Sequence, residues 1–493
     1  MTSLYRSTSL RRIETACATQ PLMERAGAAA ALWAAELAAD RNFPVLVLAG
    51  PGNNGGDAFE AARLLQERAF DVRLVFAGDP ARLPADAQAA HRRFVAAGGT
   101  PLGAIPEIPR WGLVLDGLFG IGLARAPAGR HGELITQANV LVRRDRCPCL
   151  ALDCPSGLDA DSGRAFEPAI RASHTLTFIA AKPGLYTADG PDHCGAIRVA
   201  DLGLVPEEIA APEGGLVSPA LFADRLAPRR RNSHKGTYGS LGILGGAPSM
   251  LGAAFLAGRA ALKLGTGRVY VGLLDAGGPA FDPVQPELML RRPEGVLAAG
   301  LSALACGPGL GTSQQAGDLL DKALALDLPL VLDADALNLV ATEPDLQAAL
   351  AARPAPTLLT PHPAEAARLL GMETAAIQAD RIGKTLEIAT RYRSHVALKG
   401  CGTVVAAPDG RWWVNTTGNP GMASAGTGDV LTGFAGALLA QGWEADRALL
   451  AAVHLHGAAG DGSVAAGRGP IGLTASELID AARCIFNGWH AAA

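Results

Sequence analysis

Short apolar runs alternate with alanine-rich stretches of helical periodicity along nearly the whole chain of 493 residues. Runs such as VLVLAG at 45–50, CLALDCP at 149–155, SLGILGG at 240–246 and PLVLDAD at 329–335 have the length of buried strands. Apolar strands separated by helices predict a mostly parallel sheet with helices on both faces. A chain of this length exceeds one ordinary core. The sequence therefore predicts an α/β protein in which each half is a doubly wound sheet.

The boundary between the halves is predicted near 212–226. There the periodicity is interrupted by proline, glycine and charge in APEGGLVSPALFADRLAPRRR. We expect one domain at residues 1–213, a linker at 214–224 and a second domain at 225–493. No convincing repeat relates the halves, so they are interpreted as two different enzymes on one chain.

Charge and hydropathy restrict the possible partners. The formal net charge is −4, and the longest block of like charges is RRR at 229–231, which disfavours nucleic acid or an anionic membrane as a partner. No apolar run reaches the length of a transmembrane helix. The N-terminus lacks an apolar signal core, so a cytoplasmic protein is expected.

Two clusters of metal-binding residue types are better explained as structural. Cys147, Cys149 and Cys154 do not have a zinc-knuckle spacing, and two of them flank a predicted buried strand. His454 and His456 form an isolated pair on a predicted helix, with no third ligand nearby. Eight cysteines in so long a chain also do not suggest a disulfide framework.

In the N-terminal half, polar residues follow several predicted strands. GPGNNGGD follows the first strand, DGLFGIGLARAP a later one and LDCPSGLDADSG the next, while KPGL at 182–185 follows a further strand. Ligands of doubly wound sheets bind at the carboxyl ends of strands, so these segments are expected to share one crevice. The glycines at 50, 52, 55 and 56 would alternatively serve only a tight turn, and Asp57 would be only a helix N-cap.

The oxygen ligands in this crevice favour a hard cation. The asparagine amides of GPGNNGGD, together with Asp116, Asp153 and Ser156, offer amide, carboxylate and hydroxyl oxygens, which suit neither zinc nor copper. One carboxylate among neutral oxygens suits potassium, with sodium or no metal as alternatives. Asp153 stands at a strand end before Pro-Ser-Gly, a poor structural choice for a carboxylate, and is the expected acid/base.

In the C-terminal half, GTGD precedes a long apolar helix. The amides of Gly426–Gly428 would form an anion hole at the helix N-terminus, with Asp429 in its first turn. This pattern suits a base that removes a proton from a hydroxyl attacking a phosphate. Lys399 in LKGCGTVV and His362 in TPHP are interpreted as nucleotide and substrate contacts, and the alternatives are a surface lysine and a structural histidine.

Residues 5–212 resemble the NAD(P)HX epimerases, through GPGNNGGDAFEAARLL, DGLFGIGL and LDCPSGLDADSG. One departure is Ala58-Phe59 after NNGGD, where the family has glycine. The resemblance implies a Rossmann-like domain that interconverts the epimers of hydrated NAD(P)H, with Asp153 as catalytic residue. It implies potassium at Asn54, Asp116 and Ser156. The implied substrate contacts are Asn53, Asn54, Gly55, Gly56, Asp57, Gly120, Ile121, Gly122, Leu123, Ala124, Arg125, Ala126 and Asp153.

Residues 225–485 resemble the ADP- or ATP-dependent NAD(P)H-hydrate dehydratases, which have a ribokinase-like fold. HKGTYG, GPGLG, DADALN, TPHPAEAARLL, LKGCGTVV and NPGMASAGTGDVLTG carry this resemblance. It implies catalysis by Asp429 and substrate contacts at Ala253, Gly309, His362 and Asp429. It implies nucleotide contacts at Lys399, Gly400, Cys401, Gly402, Thr403 and Gly428. The implied co-substrate is ADP, with ATP as the alternative, and Mg²⁺ would accompany the nucleotide.

Together the resemblances imply a bifunctional enzyme, an isomerase followed by a lyase, that repairs NADHX and NADPHX. A homo-oligomer is expected. One alternative is a ribokinase-type small-molecule kinase with a non-catalytic N-terminal binding domain. A redox dehydrogenase is disfavoured because no dinucleotide fingerprint with a distal acid follows a first strand.

Overall fold

The protein is described from a computed structural model that covers residues 2–123 and 125–492. The chain forms two compact units, residues 2–215 and 216–492. Among the residues the structure covers, no helix is both long and apolar enough to pass through a membrane.

The N-terminal unit is built on a parallel sheet with helices between the strands. The strands of this sheet are β2 (Val45–Ala49), β3 (Val72–Phe76), β4 (Leu113–Gly117), β5 (Cys149–Leu152), β6 (His174–Phe178) and β7 (Ala196–Ala200). Outside it, β1 (Ser3–Leu4) and β8 (Gly214–Leu216) pair antiparallel with each other. Its helices are α1 (Ser7–Ala16), α2 (Leu22–Leu37), α3 (Asn53–Glu67), α4 (Ala85–Ala96), α5 (Gly129–Asp145) and α6 (Gly190–Cys194).

The strand order β3-β2-β4-β5-β6-β7 is that of a doubly wound fold. Successive residues of β2 explain its uninterrupted apolar run. Val45 and Val47 belong to the core on one face of the sheet, whereas Leu46 and Leu48 belong to the core on the other. The strand order reverses between β2 and β4, so the crevice for a ligand is expected where these two strands end.

The C-terminal unit contains a second, larger sheet. Its strands are β9 (Ser240–Gly245), β10 (Arg268–Leu273), β11 (Met289–Arg291), β12 (Ala303–Cys306), β13 (Leu330–Leu332), β14 (Thr357–Leu359), β15 (His395–Leu398), β16 (Val404–Ala406) and β17 (Trp412–Val414). Its helices are α7 (Leu251–Lys263), α8 (Pro293–Leu297), α9 (Gln314–Leu324), α10 (Ala334–Thr342), α11 (Pro344–Ala352), α12 (Pro363–Leu370), α13 (Thr374–Ala379), α14 (Arg381–Arg391), α15 (Thr427–Ala440), α16 (Ala445–Ala465) and α17 (Ala475–Ala492).

The order β17-β16-β15-β14-β13-β12-β9-β10-β11 is parallel from β15 to β11, and β16 and β17 add an antiparallel edge. The strand order reverses between β9 and β12. Helix α15 is buried along its length from Val430 to Ala440, which accounts for its continuous apolar sequence. The prediction of a doubly wound α/β sheet in each half is confirmed.

The segment predicted to be a linker, 214–224, begins with β8. It contains the C-terminal unit's first 3₁₀ turn at Pro219–Leu221, and Phe222 is fully buried in the core of that unit. Phe222 packs there against Trp489, with ring centroids 5.6 Å apart. Pro219, Ala220, Ala223 and Asp224 in the same segment are exposed.

Candidate active sites

Helix α3 begins at Asn53, earlier than the apolar periodicity from Ala58 suggests. Asp57 is therefore the fifth residue of the helix, and the N-cap is Gly52, so the interpretation of Asp57 as an N-cap is wrong. Asn53 is exposed at the helix start, whereas the residues from Asn54 to Asp57 are buried. The first turn of α3, with its unpaired backbone amides, faces the end of β2.

Two glycines of this loop are required by close packing. A Cβ at Gly50 would lie 1.8 Å from the Leu118 carbonyl oxygen, and one at Gly55 would lie 2.0 Å from the Gly50 carbonyl oxygen. Gly52, by contrast, has nothing within 4 Å of its Cβ position. The close packing at Gly50 and Gly55 supports the tight-turn interpretation, and Gly52 has open space beside it.

Asp116 and Ser156 are joined in a buried cluster at the ends of β4 and β5. The Ser156 hydroxyl donates to Asp116 Oδ1 at 2.6 Å, and the Ser156 amide donates to Asp116 Oδ2 at 2.8 Å. Burial raises the pKa of Asp116 to about 6, although these hydrogen bonds oppose the rise. A carboxylate in this place lacks a compensating cation among the described side chains around it.

Asn54 contributes an unsatisfied oxygen to the same crevice. Its amide nitrogen donates to the Leu152 carbonyl at 3.2 Å, while its Oδ1 is buried and has no hydrogen-bond partner within the described part of the chain. Buried amide oxygens are nearly always paired, so this atom is suited to a ligand that the chain itself does not supply.

Asp153 has a strained backbone, with φ of +63°, directly after β5. Its Oδ1 lies 2.7 Å from Lys182 Nζ, and its Oδ2 accepts from the Ile121 amide at 3.0 Å. A Cβ at Gly120 would lie 2.6 Å from Asp153 Oδ2, so the loop after β4 packs directly on this carboxylate. Strain of this kind at a strand end is typical of functional residues.

Lys182 is a member of this site to which the sequence assigned no role. It is 1% exposed and also donates to the Thr177 hydroxyl at 2.5 Å and to the Phe178 carbonyl at 3.1 Å. The sequence feature that could have indicated a role for Lys182 is its position in KPGL, directly after a predicted strand. The pairing with Asp153 was not predictable, because 29 residues separate them in the chain.

Further acidic groups lie close to Asp153. Burial, together with the charges of Asp153, Glu14 and Glu60, raises the pKa of Asp57 well above its usual range. Burial and the charge of Asp153 also raise the pKa of Glu14, a residue of α1 that the sequence did not indicate. The crevice therefore holds more acidic side chains than Lys182 alone neutralises.

The remaining residues of the loop after β4 lie nearer the surface. Gly122 and Leu123 line a pocket of about 230 Å³ together with Ser7, Arg11, Asp159 and Asp161. Arg125 and Ala126 are exposed. Ala124 lies outside the described residues.

In the C-terminal unit, α15 starts as the sequence predicts. Gly426 is its N-cap with φ of +91°, and Asp429 is its third residue. A Cβ at Gly428 would lie 3.4 Å from Lys399 Nζ and 3.6 Å from Asp333 Oδ2. The helix N-terminus, Lys399 and Asp333 therefore meet at one point.

Lys399 is held by acidic residues that the sequence did not single out. Its Nζ lies 2.7 Å from Asp333 Oδ1 and 3.8 Å from Glu365 Oε2. The second Asp333 oxygen accepts from the Thr432 hydroxyl at 2.7 Å. Burial acts to lower the pKa of Lys399, but the charges of Asp333 and Glu365 outweigh it, so the pKa is raised and the ammonium is kept.

Asp429 has the pKa of a general base at neutral pH. Burial and then the negative charge of Asp333 raise its pKa to about 7, against the lowering effect of Lys399. A base is most effective when its pKa lies near the working pH. The position in the first helical turn places this carboxyl beside any anion bound by the helix N-terminus.

His362 is the N-cap of α12. Its Nδ1 accepts from the Ala364 and Glu365 amides at 3.1 and 3.3 Å, and its Nε2 lies 3.2 Å from Glu365 Oε1. Burial and the charge of Lys399 lower its pKa, so the ring is neutral near pH 7. The ring remains 46% exposed, which leaves a face available to a ligand.

Ala253 and Gly309 are brought together at the strand-order reversal. Gly309 has φ of +59°, and a Cβ there would lie 2.5 Å from the Met250 carbonyl and 3.2 Å from Ala253 Cβ. The loop from Lys399 to Thr403 joins β15 to β16, with φ of +133° at Gly400 and +60° at Gly402. Cys401 in this loop is exposed.

The cysteine and histidine clusters have structural surroundings. Cys147, Cys149 and Cys154 are buried, and burial raises the pKa of each thiol. His454 packs against Trp489, with ring centroids 5.8 Å apart. Burial lowers the pKa of His456 to about 4. The described residues contain no group of three or more histidine, cysteine or acidic side chains arranged for a metal ion.

Comparisons with known proteins identify the family of the chain. Residues 241–483 match the family described as NAD(P)H-hydrate dehydratase, and residues 19–184 match the family described as YjeF-related protein N-terminus. The bifunctional NAD(P)H-hydrate repair enzyme Nnr of Coxiella burnetii is 36% identical over 507 residues, with 99% of this chain and 100% of that protein covered. The chain belongs to the bifunctional NAD(P)H-hydrate repair enzymes.

Solved structures match the C-terminal unit. The ADP/ATP-dependent NAD(P)H-hydrate dehydratase of Bacillus subtilis, co-crystallised with ATP and Mg²⁺, is 34% identical with a TM-score of 0.51, covering 56% of this chain and 99% of that one. A ribokinase-like superfamily protein of Enterococcus faecalis, 24% identical, gives a TM-score of 0.50 over 56% of this chain and 96% of that one, which shows the fold alone. The predicted ribokinase-like fold is confirmed, as is the family.

Proposed function

We propose that this chain repairs hydrated NAD(P)H in two steps. The N-terminal unit interconverts the R and S epimers of NAD(P)HX, and the C-terminal unit dehydrates the S epimer with ADP, giving NAD(P)H, AMP and phosphate. The observation that carries the proposal is Asp429, a buried carboxyl of raised pKa at the N-terminus of α15 beside Lys399. It lies in a unit that is 34% identical to an ADP/ATP-dependent dehydratase.

Dehydration needs a better leaving group than hydroxide. Asp429 takes the proton of the substrate hydroxyl as its oxygen attacks the terminal phosphorus of ADP, and AMP leaves with the electron pair of the broken P–O bond. The carbon–oxygen bond then breaks, phosphate departs with that electron pair, and the ring loses a proton. The amides at the start of α15 and the Lys399 ammonium stabilise charge on the transferred phosphoryl group.

The substrate and nucleotide contacts that we propose are those implied by the family resemblance. Ala253, Gly309 and His362 would contact the hydrated dinucleotide, and Lys399, Gly400, Cys401, Gly402, Thr403 and Gly428 would contact the nucleotide. Mg²⁺ on the nucleotide phosphates would neutralise charge during the transfer. The acidic side chains beside Lys399 are compatible with a divalent cation nearby, since Asp333 and Glu365 leave this crevice rich in negative charge.

In the N-terminal unit, Asp153 exchanges a proton with the substrate hydroxyl. The ring nitrogen next to the hydroxyl-bearing carbon helps to expel this hydroxyl or to open the ring, so that the configuration at the carbon can change. The substrate would lie against Asn53–Asp57 and the segment 120–126. The residues present fit a potassium ion at Asn54, Asp116 and Ser156. The unsatisfied Asn54 Oδ1 and the raised pKa of Asp116 both support a cation there. Bound potassium would supply positive charge to the phosphate-bearing ligand.

The test is recovery of reduced nicotinamide absorbance from hydrated NADH. The purified full chain is incubated with the S epimer and ADP, or with ATP, which tests the C-terminal unit. An R/S mixture tests the N-terminal unit, because complete conversion must outrun spontaneous epimerisation. The Asp429→Asn variant should lose only the dehydration of the S epimer, and the Asp153→Asn variant should lose only the epimerisation.

Absence of recovery with either nucleotide would defeat the proposal. A ribokinase-type kinase would instead accumulate a phosphorylated product without free phosphate, so phosphate release separates the two functions. We further propose that residues 1–213 and 225–493 are the epimerase and dehydratase domains. Homo-oligomerisation and a cytoplasmic location stay predictions.

A further inference from the structure

Arg381 is a buried cation directly beneath the loop that joins β15 to β16. It is 2% exposed, and burial lowers its pKa to about 10, so it remains cationic at neutral pH. Its Nη2 donates to the carbonyls of Leu398, Lys399 and Gly402 at 3.2, 3.3 and 3.5 Å. Its Nη1 donates to Gln378 Oε1 at 2.7 Å. One guanidinium thus contacts both ends of the loop.

The Arg381 guanidinium also restricts which residue can occupy position 400 of the loop. A Cβ at Gly400 would lie 3.1 Å from both Nη1 and Nη2 of Arg381, and Gly400 has φ of +133°. The loop backbone therefore lies directly on the cation. The Thr403 hydroxyl, which donates to the Gly400 carbonyl at 3.1 Å, adds a link within the loop.

The hydrogen bonds from Arg381 to these carbonyls also fix the direction of the backbone amides that follow them. In a trans peptide the C=O and the following N–H point in opposite directions. Because the Lys399 and Gly402 carbonyls point to Arg381, the amides of Gly400 and Thr403 point away from it. Two backbone donors are thereby turned toward the outer side of the loop, where an anionic or hydrogen-bonding ligand could accept from them.

We infer that Arg381 is a positioning residue for the adenine nucleotide, which holds the peptide planes of 398–403 so that the Gly400 and Thr403 amides face the ligand. This inference rests on the proposed function, which assigns the segment 399–403 to nucleotide binding. Arg381 itself lies beneath the loop and acts through the backbone. The expected consequence of its loss is weaker nucleotide binding with little change in affinity for the hydrated dinucleotide.

The chain offers a matched control in Arg353. This second buried arginine is 7% exposed and donates to the carbonyls of Leu326 and Leu328 at 3.0 and 2.6 Å. Those carbonyls precede β13, at the amino ends of the parallel strands, whereas the loop at 399–403 follows the carboxyl end of β15. Both arginines brace a loop, but only Arg381 braces the proposed nucleotide loop.

The experiment compares Arg381→Lys, Arg353→Lys and wild type in the full chain. Dissociation constants for Mg²⁺–ADP are measured by calorimetry, and KM values for ADP and for S-NADHX by absorbance, with melting temperatures as the folding check. Lysine keeps the charge but not the planar fork of donors. We expect Arg381→Lys to weaken ADP binding at least tenfold and to leave KM for S-NADHX within twofold, and Arg353→Lys to leave both within twofold.

Unchanged ADP binding in a folded Arg381→Lys protein overturns the inference, and so does equal weakening in both variants. If the Arg381→Lys variant does not fold, ADP binding is measured with Gln378→Ala instead, because Gln378 is exposed and orients the guanidinium. A two- to threefold loss of ADP affinity supports the inference, and no loss overturns it. Absence of ADP binding by wild type would instead defeat the proposed nucleotide site itself, which distinguishes the two failures.

Discussion

Replacing Asp429 by asparagine should stabilise the C-terminal unit at pH 8 while abolishing dehydration. The pKa of Asp429 rises from 3.8 to about 7 on folding. A rise of roughly three units corresponds to about 4 kcal/mol against the ionised form. Because the carboxyl is partly accessible to water, we expect about half of this, ~2 kcal/mol, to be recovered by the neutral amide.

The sign of the pH dependence follows from linkage. Between pH 4 and 7 the folded state holds a proton on Asp429 that the unfolded chain has already released, so stability is lost as the pH rises through this range. Below the unfolded pKa of 3.8 the carboxyl is neutral in both states and the asparagine gives no advantage. The gain should therefore be full at pH 8 and small at pH 4.

Amide hydrogen exchange of residues 431–440 in the full chain measures this gain locally, since these residues form the buried body of α15. Variant and wild type are compared at the same pH, so that intrinsic exchange rates cancel. A gain of ~2 kcal/mol slows exchange by roughly 30-fold. Equal protection at pH 8, or a gain of the same size at pH 4, would refute the account of Asp429 as a base destabilised in its ionised form.

Three further predictions concern neighbouring charges. Asp333→Asn removes a negative charge that raises the pKa of Asp429, so the acidic limb of the dehydratase pH–rate profile should move down from about 7 by roughly one pH unit. An unmoved limb would contradict the assignment of Asp429 as the general base. Lys182→Met should destabilise the N-terminal unit by about 3 kcal/mol and abolish epimerisation, because it leaves the largely enclosed Asp153 carboxylate without its cation. In denaturant unfolding, the double variant with Asp153→Asn should regain most of the stability, and additive losses would argue against the pair. Epimerisation should need potassium. Because a bound cation lowers the pKa of Asp116 below about 6, the potassium concentration required should rise as the pH falls toward 5. An epimerisation rate in choline chloride equal to that in potassium chloride would exclude the site.

The parts of the structure that sequence alone predicted are those encoded locally. The inner strands of the two sheets, such as β2, β5, β9 and β12, are buried on both faces, so their apolar runs are continuous and easy to recognise. Asp429 was predictable because a glycine-rich turn and a helix start adjoin it in the chain. Helix α3 was misjudged at its start because Asn53–Gly56 carry no apolar periodicity, although they form its first turn.

The unpredicted parts are pairings between distant segments. Asp333 contacts Lys399 across 66 residues and Thr432 across 99. Lys182 contacts Asp153, and the charge of the same Asp153 carboxylate raises the pKa of Glu14 in α1 after the larger effect of burial. Their residue types are common in strand-end loops, and only the winding of the sheet decides which of them meet.

Both sites share one electrostatic design. Each crevice contains a single lysine among several carboxyl groups: Lys399 beside Asp333, Glu365 and Asp429 in one unit, and Lys182 beside Asp153 in the other, with Asp57 near. The lysine pairs with one carboxyl of its crevice, while burial and the neighbouring acidic charges raise the pKa of another, Asp429 in one unit and Asp57 in the other. Asp429, whose pKa is raised to about 7, is therefore able to exchange a proton near neutral pH. Because the proposed ligands are themselves anions, the positive charge still needed must come from helix N-termini and from added cations, which is why we expect potassium in one site and magnesium in the other.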